Sequence, residues 1–135
     1  MQSRSFLLLP LLGAVCLLSA CAGPVPKADP SEAWIGLRDD VQSVVLAEAV
    51  DGKKVEDGRY FEVKPGGHDL AVTAYDDGGP NAAETCTADI KYSGFKAGHH
   101  YRLVESSLGE DFSAKLVNQQ GKTVASTSDF NCIDG

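Results

Sequence analysis

Positive charge is scarce in this 135-residue chain. Twelve Lys and Arg stand against nineteen Asp and Glu, a formal net charge of −7. That balance argues against nucleic acid as a partner and against a peripheral grip on anionic lipid head groups, since both need a basic surface. Catalytic signatures are missing as well: no Gly-x-Ser-x-Gly elbow, no phosphate-cradling glycine loop and no His-Glu-x-x-His helix occurs. No Cys-x-x-Cys pair or clustered histidine spacing is present to hold zinc. The sequence therefore names no catalytic residue, no cofactor and no metal site, and the expectation is a protein that is not an enzyme. The longest apolar run, Phe6 to Leu18, is interrupted by Pro10 and falls short of the roughly 20 residues a membrane-spanning helix needs.

That run has a different reading. Arg4 supplies a short basic region before it, and Ser19 and Ala20 supply small residues after it, the three zones of a secretory signal. The stretch Leu18-Ser19-Ala20-Cys21 resembles the lipobox of bacterial lipoproteins. The resemblance implies cleavage before Cys21, a diacylglyceryl thioether on its thiol and usually a further acyl chain, such as palmitate, on the freed amine. Three acyl chains at about 0.8 kcal/mol per buried methylene would hold the chain on a membrane without spanning it. Ala22 in place of Asp implies, by the enteric sorting rule, export to the bacterial outer membrane, facing the periplasm.

Residues 1–20 are thus expected to be a signal peptide, and residues 21–33 a lipidated cysteine with a tether. Three prolines (Pro24, Pro26, Pro30) and almost no large apolar side chains give residues 22–33 the composition of an extended spacer of up to roughly 35 Å. Residues 34–135 then form one domain. Cys16 leaves with the signal and Cys21 carries lipid, so Cys86 and Cys132 remain to form a disulfide in an oxidising compartment.

Along that domain the apolar periodicity is two, with turn residues recurring every eight to twelve positions. Strands are predicted over Val44–Val50, Tyr60–Val63, Leu70–Tyr75, Glu84–Tyr92, around Tyr101–Glu105, over Phe112–Val117 and over Thr123–Phe130. Asp51-Gly52 reads as a type I′ hairpin turn, and Pro65-Gly66-Gly67 as a tight reversal. A helix over Asp39–Ala49 competes for one segment, but the β-branched cluster and the Asp-Gly turn favour a strand. Seven or eight short strands and one disulfide predict an all-β fold, an antiparallel β-sandwich of immunoglobulin-like or transthyretin-like type. The disulfide would pin the C-terminal strand to a sheet, with Cys86 in mid-strand and Cys132 just beyond the last one.

Val50-Asp51-Gly52-Lys53-Lys54, followed by Val63-Lys64-Pro65-Gly66-Gly67-His68-Asp69-Leu70-Ala71-Val72, resembles the PEGA type of small surface β-domain. The segment Phe95-Lys96-Ala97-Gly98-His99-His100-Tyr101-Arg102-Leu103 is similar to one found in small lipoproteins. The resemblance covers roughly residues 44–105 and implies a β-sandwich surface module without known catalysis; it carries over no functional residue.

The remaining candidates are few. His68-Asp69 reads as a turn rather than half of a triad, and Ser93-Gly94 lacks an identifiable base. His99 and His100 are adjacent on a strand and so point to opposite faces. Trp34 is expected to plug one end of the core. The acids at Asp39-Asp40, Asp51, Glu56-Asp57, Asp76-Asp77 and Glu110-Asp111 read as turn and solubility residues, or more sharply as an acidic face for a cationic partner. The functional expectation is a membrane-anchored lipoprotein whose module binds an envelope protein or cell-wall component. A periplasmic inhibitor of cationic lysozymes, faintly echoed by Tyr92-Ser93-Gly94, and an accessory lipoprotein of a secretion machine are the alternatives.

Overall fold

The computed structural model describes residues 24–38, 43–76, 84–108 and 111–134. They form ten strands and no helix: β1 (Ala33–Arg38), β2 (Ser43–Val50), β3 (Lys53–Lys54), β4 (Tyr60–Val63), β5 (Gly66–Asp76), β6 (Glu84–Phe95), β7 (His100–Leu108), β8 (Asp111–Val117), β9 (Thr123–Thr127) and β10 (Asn131–Asp134). Two five-stranded sheets result, of order β4-β1-β7-β8-β9 and β10-β6-β5-β2-β3; we call them sheets A and B. The fold is the expected all-β sandwich, and the helix over Asp39–Ala49 does not form where residues are described, since β2 starts at Ser43.

Alternation places the core. Leu70, Val72 and Ala74 on β5 and Cys86, Ala88 and Ile90 on β6 face Ile35, Phe61, Leu103, Ala114 and Leu116 from sheet A, all buried. Each large aliphatic or aromatic side chain in this set stabilises the fold by about 1.5–3 kcal/mol. The same alternation carries Glu105 inward with Tyr101 and Leu103, leaving it 2 % exposed. A smaller cluster of Ala74, Cys86 and Phe112 closes the far end, with Phe130 packed against it.

Several local expectations need correction. The strand count is ten rather than seven or eight, because β1, the two-residue β3 and β10 were not anticipated. In β1, Ala33 and Ile35 point inward while Trp34 and Gly36 do not, an alternation obscured by small residues and by the proline-rich segment before it. Trp34 consequently is no core plug: it lies half-buried on the outer face of sheet A, stacked on Tyr60 at 4.3 Å between ring centroids. Not every pairing is antiparallel, for β1 runs parallel to β7 with Trp34 opposite His100.

The Pro65 reversal joins no hairpin, since β4 and β5 lie in different sheets; it is a corner where the chain changes sheets, with Gly66 at φ 115°. Cys132 lies within β10, directly opposite Cys86 across β6 at a Cα–Cα distance of 4.0 Å. The disulfide therefore ties the C-terminal strand to sheet B, as expected. The Asp51-Gly52 turn is also as expected, with φ of 51° and 83° and Val50 paired to Lys53, the two positive φ values a type I′ turn requires.

Candidate functional site

Three segments that are far apart in sequence meet at the end of sheet B where β5 begins and β6 ends. The Asp51 turn, Gly67-His68-Asp69 and Lys91-Tyr92-Ser93 line an open groove of about 430 Å³. The β5–β6 register places Asp69 opposite Lys91 and His68 opposite Tyr92, while the β2–β5 pairing brings the Asp51 turn beside Asp69.

Asp51 organises one wall. Its Oδ1 accepts the Asp69 backbone N–H at 2.8 Å, and its Oδ2 lies 2.6 Å from His68 Nδ1. The second ring nitrogen, Nε2, is 2.7 Å from the Lys64 carbonyl oxygen. Both ring nitrogens thus lie within hydrogen-bond distance of oxygens, and the ring acts as a clamp between the β2–β3 turn and the β4–β5 corner. A general base for Ser93 would need a free ring nitrogen within reach of the hydroxyl; here Nε2 is held by Lys64. His68 thus pairs with Asp51 across the groove and not with its neighbour Asp69.

The two aspartates of the groove respond oppositely to their surroundings. The Asp69 backbone N–H, followed by His68, holds the Asp51 carboxyl below its ordinary range. Burial, followed by repulsion from Asp89, pushes the Asp69 carboxyl up, and its Oδ1 is enclosed without a hydrogen-bond partner. By linkage, Asp51 contributes stability that is present above its unfolded-state value of about 3.9 and is lost as pH falls through the lower folded value. Asp69 works the other way, destabilising while ionised and ceasing to do so as pH falls through its raised folded value. Asp51→Asn, which keeps a residue tolerant of positive φ, is therefore expected to lower the thermal midpoint at pH 7, with the gap to the parent closing in strong acid. Asp69→Asn is expected to raise the midpoint at pH 7. Thermal unfolding followed from pH 7 down to the acid limb reads both; midpoints that do not separate at pH 7 contradict the assignment.

The opposite wall is aromatic. Tyr92 meets Phe95 edge-on at 4.9 Å, and Phe95 meets Tyr101 at 5.1 Å. Gly94 makes this possible, because a Cβ there would stand 2.7 Å from the Tyr92 hydroxyl. Burial raises the Tyr101 phenol above its ordinary value, while its oxygen accepts the Lys96 backbone N–H at 3.2 Å. Ser93 is exposed at the rim.

Comparison of the chain with protein-family models, with curated proteins and with solved structures finds no match.

Among the other residues singled out from sequence, His99 and His100 take no part in the groove: His100 is exposed on the outer face of sheet A, where its backbone N–H donates to Gln119 Oε1. Cys21 lies outside the described residues, as do Asp39-Asp40, Asp77 and Glu110. Among the described residues no set of three or more His, Cys, Asp and Glu side chains is grouped to hold a metal ion. No described helix is long and apolar enough to cross a membrane. The role of Asp51 was legible only as a turn; its partnership with His68 needed the register of three strands.

The approach of the N-terminal segment completes the picture. It is fastened to the domain from Asp29 onward: the Asp29 N–H donates to Glu62 Oε2 at 3.0 Å, Asp29 Oδ1 accepts from Ser31 N and Oγ, and Gly98 N–H donates to the Glu32 carbonyl at 2.9 Å. Burial and then the neighbouring Glu62 carboxyl raise the Glu32 carboxyl above its usual range. The chain therefore enters the sandwich at the end where β1 and β7 begin and β6 stops, the end that carries the groove. At the opposite end Ser43, Asp76, Glu84 and Asp134 share one cross-strand row.

Proposed function

We propose that this chain is a membrane-anchored lipoprotein of the bacterial outer membrane, facing the periplasm, whose β-sandwich is a non-catalytic module that binds an envelope protein or cell-wall component. The observation that carries the reading is the shared location of the groove and the fastened N-terminal segment at one end of the sandwich. A chain anchored through Cys21 and entering at Asp29 holds the groove close to the bilayer and turns the acidic strand ends away from it. The clamp supports binding rather than catalysis, because His68 spends both ring nitrogens on structure. The lipobox and the PEGA-like segment add the same direction from sequence.

A photo-reactive amino acid at exposed Ser93 in the lipidated protein tests this in cells. The expected result is a discrete crosslinked envelope component whose yield falls when Cys21 is replaced; crosslinks to no component, or an unchanged yield from a released form, overturn the reading. The inhibitor alternative has less support, since Tyr92-Ser93-Gly94 lies inside β6 rather than on a protruding loop. Lysozyme activity left undiminished at stoichiometric excess of the protein removes that alternative.

A further inference from the structure

The scarce cations of this acidic chain are not spread evenly. On the outer face of sheet A the pairings set Tyr60, Gly36 and Arg102 in one cross-strand row and Arg38, Val104 and Lys115 in the next. Arg38, Arg102 and Lys115 are all exposed. Among the described residues none of the three has an acidic partner: the ion pairs are those of Lys54, Arg59 and His68, and the residues with further contacts do not include them. Strands about 4.8 Å apart with like-facing residues about 6.8 Å apart along each strand put these three backbone positions within roughly 10 Å of one another.

Gly36 gives that face a recess. A Cβ at this position would meet nothing within 4 Å, so the space above it is open. Around it stand Tyr60 and Arg102 to either side, Trp34 and Arg38 before and after it along β1. Trp34 and Tyr60 stack nearly parallel, 10° apart, and are half-buried. The open space over Gly36 is therefore bordered by a stacked aromatic pair and by strand positions that carry two exposed arginines, an apolar surface beside a source of paired donors.

We propose that this recess binds an anionic glycan, with Trp34 and Tyr60 presenting an apolar surface to the C–H face of a sugar ring and Arg38 and Arg102 holding its carboxylate or phosphate. Arginine donates to such groups through a planar fork, and Lys115 extends the same charge along the polymer. An acidic peptide fits less well: β1, which carries the recess floor, is paired on both sides, so strand addition would place a peptide beyond β4 and not over Gly36. A bilayer fits less well too, since the tryptophan packs on tyrosine within the face. The inference goes beyond the anchored-module reading by adding a second surface and naming the chemistry of its ligand.

Trp34 is the only tryptophan in the chain, so its emission reports directly on this recess. Full-chain protein in detergent micelles is titrated with oligogalacturonate, with an uncharged glucose oligosaccharide, and, after reconstitution, with phosphatidylglycerol vesicles. The expected result is a saturable change in emission with oligogalacturonate alone, weakened by added salt. Arg102→Glu and Gly36→Leu are each expected to weaken binding about tenfold or more, the scale of a lost charge-assisted hydrogen bond. Lys53→Glu, an exposed cation of sheet B, leaves it unchanged. Unfolding midpoints establish that each variant is folded, and where Gly36→Leu is not, Arg102→Glu decides. No response, an equal response to the neutral sugar, a response to vesicles only, or equal effects of Lys53→Glu and Arg102→Glu each overturn the proposal. Such failures leave crosslinking at Ser93 and membrane fractionation unaffected, so they are distinguishable from failure of the anchored-module reading.

Discussion

Cys21→Ser moves the protein from the membrane pellet to the soluble fraction. The expected change is large, because on the proposed reading the lipid is the anchor, and among the described residues no helix is long and apolar enough to cross a bilayer. A single acyl chain binds a membrane only marginally, whereas two or three anchor it stably at about 0.8 kcal/mol for each buried methylene. The serine hydroxyl cannot form the thioether, so all of that affinity is lost in one substitution. What is left is a domain of negative net charge with one modest basic face, too little to replace the lipid. Fractionation followed by mass spectrometry of the N-terminal peptide reads the outcome twice, as location and as added acyl mass. Persistent sedimentation with membranes, or an unmodified Cys21 in the parent protein, refutes the lipidation.

Cys86→Ala combined with Cys132→Ala is expected to lower stability by about 2–4 kcal/mol. The bridge closes a segment of sequence separation 46, for which chain entropy gives about 4 kcal/mol, with the mechanism model-dependent. Native contacts add little around Cys132, since β10 has only four cross-strand partners and Ile133 is 70 % exposed. At the other sulfur the loss is a packing loss, because Cys86 is fully buried among Ala74, Phe112 and Phe130. Without the bridge β10 is held to sheet B by its four pairings with β6 alone. Amide exchange over residues 131–134 should then rise well before the core opens, and the urea midpoint should fall. An unchanged midpoint, or two alkylatable thiols in the mature parent, contradicts this account.

Period-two alternation makes β5, β6, β7 and β8 legible from sequence, because each has one face that must be buried. The inward sets Leu70-Val72-Ala74, Cys86-Ala88-Ile90 and Tyr101-Leu103-Glu105 are the ones the alternation predicts. The Asp51-Gly52 turn is legible for a different reason: two consecutive positive φ values restrict which residues can stand there. Sheet membership is not encoded locally. Pro65-Gly66 can close a hairpin or turn a corner, and only the burial of Phe61 and Val63 against sheet B decides for the corner. β1 was missed because Ala33 and Gly36 have weak strand propensity, and its partner β7 lies far along the chain. Both surfaces with functional interest depend on such distant pairings. The groove needs β2, β5 and β6 in register, and the recess at Gly36 needs β4, β1 and β7 side by side.

The parallel pairing of β1 with β7 also governs the order in which the chain can fold. Strands β2, β5 and β6 assemble from neighbours, but β1, the first described strand, cannot take its interior place in sheet A, between β4 and β7, until His100–Leu108 has followed. Sheet B is likewise unfinished until Cys132 arrives at the C-terminus. Contacts this distant in sequence slow folding, since loop closure must be met before the pairing rewards it. If the chain is exported as proposed, that delay leaves the emerging segment unpaired during passage, and the domain closes only after its last strand is across.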